Sequence, residues 1–342
     1  MRFPLALIAF LLLLLQVMNA TAQTIAPQDW AAYKQRFVGA EGRVIDDGNG
    51  GISHSEGQGY GMLLAHMAGN RSDFDMIWSF THKELLLRDD GLAMWKWSPS
   101  ATPHVTDANN ATDGDILIAY ALALAGKGWN EAEFTRQATG LIRAIAAHML
   151  IERDGRRLLL PGGAGFSADD RTDGPVVNLS YWIFEAFSVF AELDPATDWR
   201  SVAADGLALL EMLTREEDLP PEWVSMASRP KPAHGFDAEF SYNALRIPLY
   251  LARSDLQADA LLRNMARKMS TDSGVAITDL EHGKVKQVLT DTGYRIIPAL
   301  ARCKADGKPV PDELRDFAPT LYYPSTLHLL ALARIDALGG CR

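Results

Sequence analysis

The chain has 342 residues, of which 48% are hydrophobic, and it carries a formal net charge of −10 at pH 7. This hydrophobic content is enough for a large buried core, and the length fits one large domain or two smaller ones. Because an acidic protein repels phosphate backbones, the composition argues against nucleic acid as a partner.

The first residues are typical of an export signal. Arg2 supplies a positive charge, residues 3–15 are almost wholly apolar, and Ala-Thr-Ala at 20–22 fits the small-residue cleavage pattern. A retained membrane anchor is the weaker alternative, since a spanning helix needs about 20 apolar residues. We predict a signal peptide at 1–22, one mature domain at 23–342, a secreted or periplasmic location, and no stable membrane anchor after cleavage.

Beyond the signal, apolar residues recur at three- and four-residue spacing, which is the pattern of amphipathic helices. Pro27 and the pair Thr112 and Asp115 are typical of helix starts. The pattern predicts about eleven helices, around residues 30–37, 60–67, 74–78, 116–123, 141–149, 182–189, 207–213, 245–249, 261–265, 296–300 and 327–330.

Short β segments are expected at residues 157–160 and 275–278, which is too little for a main sheet. Serial helical hairpins predict an all-α protein, either a helical solenoid or a closed ring. Long polar loops after alternate helices favour the ring, with a functional rim.

The chain contains two cysteines, Cys303 and Cys341. Export would permit a disulfide between them, but one lies beside the C-terminus and we expect two incidental thiols. No Cys/His spacing is typical of zinc, so we expect neither a metal nor another cofactor.

A glycine-rich segment at residues 53–62, Ser-His-Ser-Glu-Gly-Gln-Gly-Tyr-Gly-Met, surrounds one carboxylate, Glu56, at a helix start. Gly57, Gly59 and Gly61 each weaken a helix by up to about 1 kcal/mol relative to alanine, yet they let another chain or a ligand approach the backbone closely. This favours a functional role for Glu56 over the alternative that it only caps the helix.

A second polar segment at residues 107–115, Asp-Ala-Asn-Asn-Ala-Thr-Asp-Gly-Asp, leads into the next apolar helix. Its polar side chains exceed what one helix cap needs, so Asp113 is a candidate functional residue. A calcium loop is rejected because position six is Thr112 rather than glycine and position twelve is Ile118 rather than glutamate.

Together these segments resemble glycoside hydrolase family 8. The specific matches are Ser-Glu-Gly-Gln-Gly-Tyr-Gly-Met at 55–62 and Ala-Thr-Asp-Gly-Asp-Ile-Leu-Ile-Ala at 111–119. Weaker likenesses are Ala-Met-Trp-Lys-Trp at 93–97, Asn-Leu-Ser-Tyr at 178–181 and Ser-Tyr-Asn-Ala-Leu-Arg at 241–246. Within the family, the chain looks most like the periplasmic endoglucanases that accompany bacterial cellulose synthesis.

The resemblance implies an (α/α)6 barrel with a groove at one end and an inverting endo-β-1,4-glucanase acting on cellulose-type glucan. It implies that Glu56 is the general acid and that Asp113 holds and distorts the sugar. It further implies substrate contacts from Tyr242, Asn243 and Arg246, and it raises the cellulose synthase complex as a partner. An inverting enzyme needs an acid and a base about 6.5 to 9.5 Å apart.

The chain departs from the family pattern at Asn243, where many members carry the catalytic base in Ser-Tyr-Asp-Ala-x-Arg. An amide cannot usefully accept a proton at pH 7. Three explanations stay open. Another carboxylate could be the base, with Asp237 and Glu239 as the nearby candidates; Asn243 could orient the water while a more distant carboxylate takes the proton; or the chain could be weakly active or inactive.

Sugar rings stack on exposed tryptophan and tyrosine rings. The candidates for such a platform are Trp95, Trp97, Tyr181 and, as the weakest, Trp129, although any one of them could be a core residue.

Two other functions stay open beside the glucanase. One is a chitosanase or xylanase of the same family, and the other is a non-catalytic glycan-binding subunit of a cellulose-export complex, which the asparagine motivates.

Overall fold

The computed structural model describes residues 23–214 and 218–341, so the predicted signal peptide lies outside the described residues. These ranges contain eleven α-helices, and each coincides with one of the apolar repeats that predicted a helix. The helices are α1 (Pro27–Phe37), α2 (Ser55–Met67), α3 (Arg71–Glu84), α4 (Thr112–Gly128), α5 (Ala132–Met149), α6 (Phe184–Leu193), α7 (Trp199–Leu213), α8 (Arg246–Arg253), α9 (Asp259–Met269), α10 (Thr292–Asp306) and α11 (Tyr322–Ala337).

Six of these helices form an inner ring in the order α2, α4, α6, α8, α10 and α11, and α11 returns to contact α2. Five helices pack outside them: α3 on α2, α5 on α4, α7 on α6, α9 on α10 and α1 on α11. Between α10 and α11 the outer position holds only a single 3₁₀ turn, Asp312–Leu314. The predicted all-α ring of hairpins, an (α/α)6 barrel, is therefore confirmed.

The strands are short and antiparallel, and they connect or cover the helix ends. Both predicted β segments are present, with ends displaced by one residue at most. The strands are β1 (Ser53–His54) with β2 (Lys96–Trp97); β3 (Leu150–Arg153) with β4 (Arg156–Leu159); β5 (Val176–Val177), β6 (Val224–Ser225) and β7 (Lys231–Pro232); and β8 (Glu239–Phe240), β9 (Val275–Asp279) and β10 (Lys284–Leu289).

Helices α2 and α4 approach each other more closely than larger residues would allow. A Cβ atom built on Gly59 would lie 2.5 Å from the Cβ of Leu117, and one built on Gly114 would lie 2.6 Å from the backbone nitrogen of Glu56. Glycine supplies this space because it has no side chain. The glycine-rich motif therefore brings the two helix starts together, and with them Glu56 and Asp113.

Both predicted helix starts are confirmed. Pro27 stands in the first turn of α1, where its missing N–H costs nothing. Helix α4 begins at Thr112 itself, although its N-cap is Ala111, which offers no side-chain acceptor. The Thr112 hydroxyl instead donates to the carbonyl of Leu160 at 2.6 Å and so ties α4 to the segment after β4.

Cys303 and Cys341 form a disulfide with a Cα–Cα distance of 5.8 Å, so the expectation of two incidental thiols was wrong. Cys303 lies in α10, and the chain after α11 folds back over that helix. The Val310 backbone nitrogen donates to the carbonyl of Cys341 at 3.1 Å, which holds the returning segment in place.

Among the helices of residues 23–214 and 218–341, none has the length and apolar content needed to cross a bilayer.

Candidate active site

The six inner helices begin at the same end of the barrel, around an open cavity of about 560 Å³. Each helix contributes a lining residue in its first turn or just before it. Five of them lie in the first turn of their helix, and Tyr181 lies just before α6. The five are Glu56 in α2, Asp113 in α4, Arg246 in α8, Tyr294 in α10 and Tyr323 in α11. Side chains that are distant in the sequence therefore meet at one end of the ring.

Arg246 joins the two carboxylates that the sequence singled out. Its Nη1 atom donates to Asp113 Oδ2 at 2.8 Å and also contacts Glu56 Oε1. The Arg246 and Asp113 side chains are almost fully buried, whereas 18% of the Glu56 side chain is exposed. All three residues line the cavity, and Glu56 is the most exposed of them.

The pKa of Asp113 is raised to about 6. Burial is the largest cause, because it disfavours the charged form, and the nearby charge of Glu56 adds to it. Arg246 and the backbone N–H of Gly114, which donates to Asp113 Oδ1 at 2.8 Å, act in the opposite direction. Two carboxylates around one guanidinium therefore hold a proton to near-neutral pH.

The second terminal nitrogen of Arg246, Nη2, contacts two further polar side chains. It donates to Asn243 Oδ1 at 2.8 Å and to Ser180 Oγ at 2.9 Å. The guanidinium carbon lies 5.6 Å from the ring centroid of Tyr181. Two of the three weaker sequence likenesses, around residues 180 and 243, therefore meet at the same arginine as Glu56 and Asp113.

Behind Asn243 lies a carboxylate that the sequence analysis missed, Glu222. Its Oε1 accepts the backbone N–H of Asn243 at 2.6 Å, and its Oε2 accepts the side-chain Nδ2 of Asn243 at 3.1 Å. Glu222 is 8% exposed, and burial raises its pKa. The only sequence signal was an acidic residue directly after Pro220 and Pro221, in a segment without periodicity.

The two carboxylates proposed from the sequence as alternative bases lie elsewhere. Glu239 Oε2 lies 2.8 Å from the Lys286 ammonium, and Asp237 Oδ2 lies 3.7 Å from it. The Asp237 side chain is 80% exposed, and neither residue lines the cavity. Glu239 in β8 and Asp237 just before it form an ion-pair cluster with Lys286 of β10, so the structure does not support either one as the base.

Aromatic side chains form much of the cavity wall. The predicted Trp95, Tyr181 and Tyr242 line it, together with Tyr294 and Tyr323, which the sequence analysis did not single out. Trp95 is oriented by its indole N–H, which donates to Asp107 at 2.7 Å. Tyr242 is 41% exposed. The cavity wall is therefore rich in aromatic rings.

The structure does not bring Trp97 or Trp129 to this cavity. Trp97 stacks on His104 with ring centroids 4.2 Å apart and packs edge-on against Phe80 of the outer helix α3. Trp129 packs against Phe74 with centroids 5.1 Å apart. Both tryptophans therefore pack against the outer helix α3 and do not line the cavity.

His54 lies beside Glu56 and contributes a further titratable group. Its Nδ1 accepts the backbone N–H of Gly57 at 2.9 Å, and its Nε2 faces Asp46 at 3.4 Å. Burial lowers the pKa of His54, but the hydrogen bond to Asp46 and the charge of Glu56 outweigh it and leave the pKa raised.

Across residues 23–214 and 218–341, no three His, Cys, Asp or Glu side chains are grouped so as to hold a metal ion.

Residues 1–334 match the family model described as Glycosyl hydrolases family 8. The chain belongs to this family. Among its family 8 relatives is a protein named endoglucanase from Cellulomonas uda, 38% identical over 250 residues, which are 71% of this chain and 69% of the relative. A protein named probable endoglucanase from Novacetimonas hansenii is 31% identical over 334 residues, covering 94% of this chain and 96% of the relative.

A solved family 8 structure gives the same picture for the fold. The endo-β-1,4-glucanase CMCax from Acetobacter xylinum superimposes with a TM-score of 0.81 at 32% sequence identity, over 92% of this chain and 98% of the other. The match spans the whole barrel rather than one group of helices. This chain is therefore a glycoside hydrolase by family, and the cavity at the inner-helix starts is its candidate active site.

Proposed function

We propose that this family 8 hydrolase is an inverting endo-β-1,4-glucanase that cleaves cellulose-type β-1,4-glucan. The observation that carries the proposal is the contact of one Arg246 nitrogen with both Glu56 and Asp113, on the wall of an aromatic-lined cavity. The relatives named endoglucanase, and the solved endo-β-1,4-glucanase CMCax, support glucan as the substrate.

In this proposal Glu56 is the general acid. Its side chain is partly exposed to the cavity, and its Oε2 lies 3.8 Å from His54 Nδ1. The group of Glu56, Asp113 and Arg246 carries two carboxylates and one cation, so one bound proton neutralises it. Glu56 gives this proton to the glycosidic oxygen as the bond between that oxygen and the anomeric carbon breaks.

Asp113 has the role of holding and distorting the sugar at the point of cleavage. It is buried beside Arg246, and an inverting reaction needs no covalent intermediate. Trp95, Tyr181 and Tyr242 form the platform for the neighbouring sugar rings, because carbohydrate C–H faces stack on aromatic rings. Arg246 and Asn243 complete the substrate contacts around the cleavage point.

The proposal is tested by the release of reducing ends from carboxymethylcellulose. We expect Glu56→Gln to lower kcat by about 10²-fold or more, the usual contribution of a general acid. The matched control is Glu313→Gln, at a side chain that is 61% exposed and does not line the cavity, and it should keep the wild-type rate. An unchanged rate in Glu56→Gln would contradict the assignment of the acid.

Side-by-side assays on carboxymethylcellulose, chitosan and xylan separate the glucanase from the other activities of the family. We expect the highest kcat/KM on the glucan. A higher kcat/KM on chitosan or xylan would replace the proposed substrate while leaving the acid in place. Binding of cello-oligosaccharides without turnover at high enzyme concentration would favour the non-catalytic subunit.

We further propose that the domain at 23–342 is exported to the periplasm or the exterior and acts beside a cellulose synthase complex. The disulfide between Cys303 and Cys341 supports this location, because such bonds persist in oxidising compartments. Expression of the full chain in a cellulose-producing bacterium should give a periplasmic product that begins at Gln23. A product in the cytosolic fraction that retains residues 1–22 would contradict the proposed export.

A further inference from the structure

The orientation of the Asn243 amide is determined by its two partners. Arg246 can only donate hydrogen bonds and Glu222, when ionised, can only accept them, so Oδ1 faces Arg246 at 2.8 Å and Nδ2 faces Glu222 at 3.1 Å. Asn243 also lines the cavity. The amide therefore connects the cavity to a buried carboxylate behind it.

The guanidinium of Arg246 lies between the Asn243 amide and Glu56, the proposed general acid. Its Nη1 contacts Glu56 and Asp113, whereas its Nη2 contacts Asn243. An inverting enzyme needs its acid and its base on opposite sides of the reacting sugar. Asn243 contacts the other terminal nitrogen of the guanidinium from the one that contacts the acid, but an amide oxygen alone is too weak a base to hold a proton at neutral pH.

We propose that Glu222 receives the proton of the attacking water through the Asn243 amide, so that the two residues together replace a single carboxylate base. This inference rests on the proposed glucanase function and deepens it by naming the route of the proton. Asn243 is the residue that touches the water, and Glu222 acts through it as a positioning residue and proton acceptor.

The proton transfers balance. As the water oxygen bonds to the anomeric carbon, its proton passes to Asn243 Oδ1, while Nδ2 releases a proton to Glu222 Oε2. The amide becomes its imidic acid tautomer and Glu222 becomes neutral, while Glu56 protonates the departing oxygen. The amide is restored when Glu222 returns its proton to Nδ2 and Oδ1 releases its proton to the solvent, from which Glu56 is reprotonated.

The surroundings of Glu222 suit this role. Its low exposure raises its pKa, and a carboxylate with a raised pKa is a stronger base. The next residue, Trp223, is sandwiched between Phe236 and Phe166, with ring centroids 4.6 and 5.5 Å away. The Glu222 backbone nitrogen also donates to the carbonyl of Glu239 at 3.0 Å. The carboxylate is therefore held in a fixed position behind the amide.

A double-mutant cycle on cellohexaose hydrolysis tests the proposal. Its members are the wild type, Glu222→Gln, Asn243→Asp and the double variant, with thermal melting to verify folding. In the wild-type background Glu222→Gln should lower kcat by about 10²-fold or more with a small change in KM, the usual scale of general-base catalysis. With Asn243→Asp a carboxylate reaches the water directly, so adding Glu222→Gln should then cost less than about threefold in kcat.

The matched control is Glu239→Gln, which removes a carboxylate that contacts Lys286 at 2.8 Å and should leave kcat unchanged. If Glu222→Gln does not fold, Glu222→Asp takes its place in the cycle, since it withdraws the carboxylate by one methylene. We then expect a smaller loss of kcat, again suppressed by Asn243→Asp.

Two results of the mutant cycle would overturn the relay. One is an equal loss of kcat in both backgrounds, which would make Glu222 a structural support of the turn alone; the other is no loss in the wild-type background. A wild-type chain that binds cellohexaose without turnover would also contradict the relay while leaving glucan recognition intact. A wild-type chain that neither binds nor cleaves cellohexaose would contradict the proposed function itself.

Discussion

Arg246 and Asp113 form a buried ion pair with a nitrogen–oxygen distance of 2.8 Å, in which neither side chain is more than 3% exposed. Removal of one partner from such a pair is costly, because it leaves the other charge buried without compensation. Here the same arginine also contacts Glu56 and Asn243. The geometry of the whole site therefore depends on the side chain of Arg246.

We expect Arg246→Lys to lower kcat/KM on carboxymethylcellulose by about 10²-fold, the cost of displacing reacting groups by about 1 Å. Lysine keeps the positive charge, but a single ammonium cannot reproduce the planar set of donors that reaches both sides of the site. The control is Arg295→Lys, at a surface pair with Glu313 of 3.3 Å, for which we expect wild-type kinetics. Comparable kinetics for the two variants would show that the bridging geometry is not needed.

Gly114→Ala should damage both stability and activity. The new Cβ would lie 2.1 Å from Ser55 Oγ and 2.6 Å from the backbone nitrogen of Glu56, so α2 and α4 must move apart. We expect a loss of about 1–3 kcal/mol in the free energy of unfolding, typical of overpacking, together with a lower kcat.

Gly140→Ala is the matched control, because it lies in helix α5 and a Cβ there would meet nothing within 4 Å. It should stabilise the protein by up to about 1 kcal/mol, the difference in helix propensity. Urea denaturation and the rate on carboxymethylcellulose measure both effects. Equal stability of the two alanine variants would refute the close approach of α2 and α4.

Two buried carboxyl groups make stability depend on pH. Burial, the largest cause, raises the pKa of Asp113 to about 6 and that of Asp115 to about 7, from the usual 3.8. Because the pKa is raised in the folded state, the linked stability is fully present below about pH 4 and is lost as the pH rises through about 6 to 7. We expect Asp115→Asn to flatten this decline in the free energy of unfolding, measured with urea from about pH 4 to 8.

The same variant should be less stable at low pH by about 1–3 kcal/mol. Asp115 accepts hydrogen bonds from Ala93 N and Asn110 Nδ2, both at 2.8 Å, and an amide in its place would turn a donor toward one of them. Asn110 is held by Gly163, whose N–H donates to its Oδ1 at 2.7 Å, so it does not flip readily. Asp312→Asn, at a fully exposed side chain, serves as the control, and an equal pH slope in both variants would contradict the prediction.

Trp95→Ala and Trp97→Ala separate two tryptophans that the sequence treats alike. Trp95 lines the cavity and Trp97 does not. We expect Trp95→Ala to raise KM for cello-oligosaccharides about tenfold, equivalent to about 1.4 kcal/mol of binding. Trp97→Ala should lower the melting temperature, because it removes packing against Phe80 and His104, and should leave KM unchanged. A raised KM for Trp97→Ala and an unchanged KM for Trp95→Ala would instead place the sugar contact at Trp97.

Most of the fold could be predicted from the sequence, because each helix carries an apolar repeat that the ring buries. Glu56, Asp113 and Arg246 could be predicted because they lie within motifs that open inner helices. Glu222 could not, since it follows two prolines in an irregular segment and reaches the site only through Asn243.

The tryptophans and the cysteines show a second limit of the sequence. Trp97 lies only two residues from Trp95, yet β2 carries it against an outer helix. Cys303 and Cys341 are 38 residues apart, and no local pattern indicates that the chain after α11 folds back on α10. Such contacts arise from the path of the chain between elements, which local periodicity does not encode.

Because Glu56, Asp113 and Arg246 belong to the starts of inner helices, the connections that do not carry Glu222 and Asn243 are free to vary in length and composition. Exchange of a rim loop alters the width and the reach of the opening without disturbing the acid or its arginine. A single set of six helix starts can thus serve polymers of different thickness, and loop grafting is the natural way to redirect this hydrolase to a new polysaccharide.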